Sequence, residues 1–369
     1  MVHIFEENES IGGTYTVERF LGEGAFAEVY RVKHRFLGRQ AMKVFKRPVA
    51  SAEEVEALLS EAILLSRIGH PNIVRVFDAN IVETPNGMRG FFTMENVAGG
   101  TLDSFLRSQG NQLSIETVVD LSRQICRGLS VAHSASPPII HRDIKPQNIL
   151  VGYEATGIRA RISDFGLAKQ VNPLTLLASA AGTLAFKPPE VFEDAKSDSL
   201  AGDIYAVGVT MYLLLTDVFP YALPDDLAHI SPGDFDQPPR RPEELNLDAD
   251  ATLGDIVMRC LCRDPADRYQ DAQSLLADLE AWRPQPPVVD TGRDILADAT
   301  AAPEGQGDDA VGREDAEALG MAKEALRIAR EEARLADAAD LMEEAFSHSP
   351  SLRAKYASRV KLWRAGVSM

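Results

Sequence analysis

The sequence predicts an α+β fold of two lobes, a small antiparallel β lobe carrying one inserted helix and a large, mainly helical lobe, with a short α-helical extension behind it. Three observations predict it. From Tyr15 to about Lys46, Val, Phe and Tyr alternate with polar residues and are punctuated by Gly, the pattern of a twisted antiparallel sheet. Residues 52–67 change to helical spacing, with Val55, Leu58, Leu59, Ile63 and Leu64 on one face and Glu53, Glu54 and Glu56 in the first turn. After Gly99-Gly100 the chain is helical in pattern through Trp282, apart from residues 139–165, where two short apolar runs flank loops dense in His, Arg, Asp, Lys and Asn.

Strand patterns at 73–82 and 90–97 complete the small lobe, which gives a unit over 15–283 with its small lobe at about 15–97 and its large lobe at about 98–283. Residues 1–14 read as a lead-in. From 284 to 312 the composition shifts to Pro, Gly, Asp and Ala, too poor in large apolar residues to fold, so this stretch reads as a flexible linker. Residues 313–369 return to helical spacing: Leu319, Ala322, Leu326 and Ala329, then Leu341, Ala345 and Phe346, then Tyr356, Val360 and Trp363.

A chain of 369 residues with a net charge of -17 repels phosphate, which argues against nucleic acid or an anionic membrane as partner. The apolar run at 206–215 is far shorter than the roughly 20 residues a spanning helix needs, and the N-terminus has no basic start followed by an apolar stretch. Cys126, Cys260 and Cys262 have no metal-ligand spacing and fit free thiols in a reducing compartment. A cytoplasmic protein is expected.

Chemistry should sit on the polar loops, because site residues gather on loops that a packed scaffold holds. Gly22 and Gly24 lie between strand patterns, so a dinucleotide fingerprint, which needs a following helix, is excluded; a phosphate-cradling loop and an ordinary hairpin turn both fit. Lys43 interrupts the apolar run 41–44, where a buried ammonium needs an anion. Glu61 on the following helix could supply it; a snorkelling Lys beside a solvated Glu is the other reading these two residues allow. His141-Arg142-Asp143-Ile144-Lys145-Pro146-Gln147-Asn148, then Ser163-Asp164-Phe165-Gly166, place two carboxylates, an amide and a Lys in a pattern suited to phosphoryl transfer. That reaction needs an oriented hydroxyl, a hard cation on oxygen ligands and positive charge around the transferred group.

From about Tyr15 to Trp282 these motifs resemble the eukaryotic-like protein kinase family, most closely the bacterial serine/threonine kinases. The resemblance implies a bilobal protein-kinase fold and ATP-dependent phosphorylation of protein Ser or Thr hydroxyls, with Mg²⁺, or Mn²⁺ as the alternative ion. It makes Asp143 the catalytic base, Lys43 the phosphate-binding Lys paired with Glu61, and Asn148 and Asp164 the metal ligands. Lys145, two residues past the base, is the pattern of Ser/Thr kinases. The ATP site it implies comprises Leu21, Gly22, Gly24, Val29, Ala41, Lys43, Met94, Glu95, Val97 and Leu150, with adenine bonded by the backbone of Glu95 and Val97 in front of Met94.

The same resemblance pairs Glu190 with Arg268, makes Asp203 a support of the catalytic loop, and aligns Gly208 on its helix. Arg142 is of the kind that binds a phosphorylated activation segment, for which Thr175 and Ser179 are the candidate autophosphorylation sites; a transient homodimer would serve that reaction. Two positions depart from the pattern. Ala27 stands for the third loop glycine, which predicts a stiffer loop, and Pro188 stands before Pro189-Glu190. Thr101 and Gln147 occupy positions where kinases of basic substrates carry carboxylates, which argues against a strong basic preference. A non-catalytic scaffold is disfavoured by the intact set Lys43, Glu61, Asp143, Asn148 and Asp164, and a small-molecule kinase by the segment 183–190. The extension, weakly similar to one tetratricopeptide unit and basic at Arg353, Lys355, Arg359, Lys361 and Arg364, reads either as a partner-docking module or as a hairpin covering the large lobe.

Overall fold

The structure, a computed structural model, describes residues 3–24, 26–49, 68–111, 113–155, 157–165, 184–194, 197–221, 231–246 and 248–284, single positions between 53 and 66, and 334–349 with further positions between 318 and 364. It divides into two compact units, one of Met1–Ser108 and Gln112–Pro284 and a second of Gln109–Asn111 and Gln285–Met369.

The small lobe is a six-stranded antiparallel sheet in the order β1-β2-β3-β4-β6-β5. Its strands are β1 (Ser10–Ile11), β2 (Tyr15–Glu23), β3 (Ala27–His34), β4 (Gly38–Phe45), β5 (Val76–Thr84) and β6 (Gly87–Glu95). Because side chains alternate faces along a strand, Tyr30 and Val32 of β3 enter an outer core with Val17, Met42, Val44 and Phe91. Val29, the residue before Tyr30, faces the opposite side and packs against the main core. The predicted inserted helix is seen at Glu53, Glu54, Leu59 and Ser66, all helical, with Leu59 buried.

The first residues do more than lead in. Phe5 and Ile11 are buried in the outer core, β1 extends the sheet, and the N–H groups of Ile4 and Phe5 donate to Glu28 Oε2 and Tyr30 Oη at 3.0 and 3.1 Å. Isolated apolar residues without a period gave the sequence no sign of this.

The large lobe is built on helix Ile115–His133, capped where Ser114 accepts from Thr117 N–H, and on helix Leu200–Thr216, capped by Ser199 and ended by Asp217 in a left-handed conformation at φ 59°. The second helix holds the longest apolar run and is almost entirely buried, so its hydrophobicity serves the core. Among the described residues no helix is long and apolar enough to cross a membrane. Under the small lobe lies a three-stranded sheet of β7 (Gly99–Thr101), β8 (Ile149–Glu154) and β9 (Gly157–Ile162). It holds the polar loops in place: Ser163, just past β9, donates from both N–H and Oγ to Asn148 O, at 2.8 and 2.9 Å.

In the second unit, Ala318, Ala322, Ala325 and Ala329 form one helical stripe packed with Ala338, Ala339, Met342, Ala345 and Phe346 of helix Leu335–His348, and with Leu352, Val360 and Trp363. Arg364, one of the basic residues expected to face a partner, donates to Asp340 and Glu343 of this same unit at 2.5 and 2.7 Å. Arg353, Lys355, Arg359 and Lys361 lie outside the described residues.

Candidate active site

Between the lobes of the first unit is a cavity of about 1110 Å³. Leu21, Gly22, Gly24, Val29, Ala41 and Lys43 form its roof, Met94, Glu95 and Val97 its rear, and Asp143, Lys145, Asn148, Leu150 and Asp164 its floor. Every predicted ATP-site residue therefore lines one space, although they are drawn from positions more than a hundred residues apart. Glu61, Gly166, Thr175, Ser179 and Thr183 lie outside the described residues.

Lys43 projects from β4 into the cavity, and its Nζ donates to Asp164 Oδ1 at 2.6 Å. Among the described residues the anion this buried ammonium requires is thus Asp164, a pairing across the cleft that sequence separation hid. Asp164 stands at φ 60°, in the left-handed region that a non-glycine residue adopts at a cost, directly before buried Phe165.

The Asp143 carboxylate is held at one oxygen. Its Oδ2 takes Lys145 Nζ and Asn148 Nδ2, both at 2.8 Å, while Oδ1 is buried with no hydrogen-bond partner among the described residues. An orphaned buried oxygen costs free energy unless something else comes to it, and in a cleft that something is a ligand. Burial alone would raise the Asp143 pKa, but Lys145 and Lys187 outweigh it and hold the carboxyl below its ordinary range. It is ionised at neutral pH.

The loop beneath is fixed by buried polar groups. Asp203, 1% exposed, accepts from His141 N–H and Arg142 N–H at 2.7 Å each and from the His133 ring at 3.1 Å. His141 is fully buried, which lowers its pKa, and its ring joins Ser163 O at 2.9 Å to Asp143 N–H at 3.2 Å. Since the N–H of Asp143 donates to Nδ1, the ring is neutral with its proton on Nε2. One imidazole therefore ties the residue before Asp164 to the backbone of Asp143.

Arg268 is buried and donates to both oxygens of Glu190 at 2.8 Å, as the resemblance implied. Arg142 donates from Nε to Asp198 Oδ2 at 2.6 Å, an acidic partner the sequence reading missed. Ala27 is buried in the main core. Gln147 donates to Asp103 Oδ1 at 3.2 Å, and Asp103 also pairs with Arg107.

Residues 15–278 match the protein kinase domain family. The chain is 31% identical over 276 residues to serine/threonine-protein kinase PknB of Mycobacterium tuberculosis, a match covering 72% of this chain and 42% of that one. It is 30% identical over 312 residues to serine/threonine-protein kinase A of Synechocystis, covering 78% and 57%. A probable serine/threonine-protein kinase of Clostridium perfringens is 30% identical over 283 residues, covering 76% and 40%. The chain thus spans between 40% and 57% of the length of these three curated relatives.

Proposed function

Because the chain belongs to the protein kinase family, we propose that it transfers the γ-phosphoryl group of ATP to Ser and Thr hydroxyls of protein substrates. The observation that carries this reading is the Asp143 carboxylate, with one oxygen held by Lys145 and Asn148 and the other buried without a partner among the described residues, at the cavity floor. Oδ1 accepts a hydrogen bond from the substrate hydroxyl and takes its proton as the new O–P bond forms and the bond from the β–γ bridging oxygen to Pγ breaks. Lys145 stays on Oδ2 and keeps the base ionised while lending positive charge to the transferred group.

The family uses ATP and a divalent metal ion, and the residues here fit both. Val29, Ala41 and Leu150 are apolar walls for a purine. Glu95 N–H is taken by Arg75 O at 2.9 Å, so its backbone carbonyl is the group offered to adenine, beside the backbone of Val97. The Asn148 amide donates from Nδ2 to Asp143, which leaves its oxygen as the ligand atom; with the Asp164 carboxylate it forms a hard oxygen set suited to Mg²⁺, or Mn²⁺ in its place. Such an ion neutralises phosphate charge and orients the terminal phosphoryl group. Lys43, freed from Asp164, would turn to phosphate, with Glu61 as its other anion.

Autophosphorylation at Thr175 or Ser179, in a transient homodimer, belongs to the same reading, as does docking of a partner through 313–369. Three cysteines without a disulfide fit a reducing cytoplasm. Asp103 brings a carboxylate to Gln147, but Arg107 offsets it, so a strong preference for basic substrates is not expected.

The test is transfer of labelled phosphate from ATP with Mg²⁺ to a generic protein substrate, with phosphorylation at Thr175 and Ser179 read by mass spectrometry. Asp143→Asn should lower transfer at least about 100-fold while nucleotide binding is retained. Near-normal turnover in that variant would refute the assignment of the base.

A further inference from the structure

Lys187 contributes charge that helps keep Asp143 ionised, and its contacts point to a second role. It lies in Leu184-Ala185-Phe186-Lys187-Pro188-Pro189-Glu190, between buried Phe186 and buried Pro188. Helical backbone is disfavoured before proline, and the Lys187 N–H donates to Leu184 O at 3.1 Å, so the backbone that carries the side chain is held. Its Nζ donates to the backbone carbonyl of Arg142 at 2.6 Å. Burial lowers the Lys187 pKa and neighbouring Lys145 adds to that, while the carboxylates of Asp143, Asp198 and Asp203 work against it.

Arg142 is the residue directly before the proposed base, and it stands at φ 69°. A side-chain-bearing residue occupies that region only where its surroundings over-determine it. Here the restraints come from both sides of the residue. Asp203 Oδ1 takes the Arg142 N–H at 2.7 Å, and Lys187 takes its carbonyl. That carbonyl belongs to the peptide that joins Arg142 to Asp143, so its direction sets where the Asp143 side chain begins. Lys187 does not line the nucleotide cavity. Its own segment is anchored separately, through Phe186 packed on Phe219 with ring centroids 5.6 Å apart and through the Glu190–Arg268 pair.

We propose that Lys187 is a positioning residue for phosphoryl transfer, which holds the Arg142–Asp143 peptide by its carbonyl and so makes the orientation of Asp143 depend on the folded state of segment 184–190. This rests on the kinase reading above. It has a consequence: whatever orders or displaces that segment moves the base, without touching the nucleotide site.

The test compares the full-length wild type with Lys187→Met and Lys187→Arg for kcat, KM for ATP and melting temperature. Lys187→Met keeps the stem and loses the donor; kcat should fall about 10- to 100-fold, the scale of a misplaced catalytic group, with KM for ATP within about 2-fold of wild type. Lys187→Arg restores a cationic donor and should recover most of the loss. Should Lys187→Met not fold, Lys187→Leu, which likewise has no donor, replaces it in the same comparison. An unchanged kcat overturns the proposal, as does a loss accompanied by a raised KM for ATP or one that Arg leaves unrepaired, since either marks general damage. An inactive wild type would sink the kinase reading and this inference together, whereas an active wild type beside an equally active Lys187→Met sinks this inference alone.

Discussion

Chain neighbours aside, Gly22 and Gly24, in the roof of the cleft, have no atom of the described residues within 4 Å of where a Cβ would stand, whereas in the helices that pack beneath the floor a Cβ on Gly128 would meet Asn72 O at 2.7 Å and one on Gly208 would meet Cys260 Cβ at 2.5 Å. The contrast extends to polar groups. The roof is held by strand ladders and keeps Leu21 42% exposed. The floor is held by Asp203, His141, Ser163 and Arg268, all buried and all hydrogen-bonded. On the kinase reading proposed above, a nucleotide would enter and leave under the roof, which gives the space there a use. On the same reading the proposed base and metal ligands would have to hold their geometry to a fraction of an ångström, which suits a floor that is packed and pinned.

The strongest way to break the floor is to remove a buried charge from its partner. Arg268 donates to Glu190, Cys262 O, Arg263 O and Ala201 O, and its guanidinium lies 4.9 Å from the Tyr205 ring centre. Arg268→Ala takes the cationic partner from the Glu190 carboxylate and a donor from three carbonyls at once. A loss of about 3–5 kcal/mol is expected, read as a lower denaturant midpoint or as failure to accumulate folded protein. A cost below about 1 kcal/mol would mean that the floor does not depend on this pair.

Gly208→Ala asks whether the floor has slack. Helix propensity favours the change by up to about 1 kcal/mol. Against that, the new methyl would lie 2.5 Å from Cys260 Cβ and 3.3 Å from Leu261 Cδ2, which forces helices Leu200–Thr216 and Ala251–Cys260 apart. Overpacking of this kind costs about 1–3 kcal/mol, so the net expectation is a loss on the order of 1–2 kcal/mol, seen as a lower melting temperature. A neutral or stabilising result would show that the helices can separate cheaply.

The difference between roof and floor also explains what the sequence made legible. Lys43, Asp143, Asn148 and Asp164 were readable because chemistry demands those residue types in short contiguous runs. The two lobes were readable because strand and helix periods extend over many residues. The link between Lys43 and Asp164 was not, since it joins two motifs through space, and neither was β7, whose three residues carry no period. The packing of residues 3–11 on the outer core escaped for the same reason, because Phe5 and Ile11 stand alone in a polar stretch. Lys187 left a trace of the kind that revealed Lys43, a cation in an apolar setting, but no neighbouring motif gave that trace a role.

Gly22→Ala is the mildest change and the sharpest for the comparison. Among the described residues beyond its chain neighbours the methyl meets nothing within 4 Å, and Gly22 is not at a positive φ, so the protein without nucleotide has no steric reason there to notice it. Stability should stay within about 0.5 kcal/mol, and the smaller conformational freedom of the unfolded chain pushes toward a slight gain. Nucleotide binding should respond differently, because a backbone that closes on phosphate needs the room that the methyl now fills. KM for ATP should rise about 5-fold, equivalent to about 1 kcal/mol, with the melting temperature of the nucleotide-free protein unchanged. If the melting temperature fell as well, the roof would be packed like the floor. If neither quantity moved, the open space above Gly22 would not be where the phosphates lie, and the cradle would have to be sought nearer Gly24.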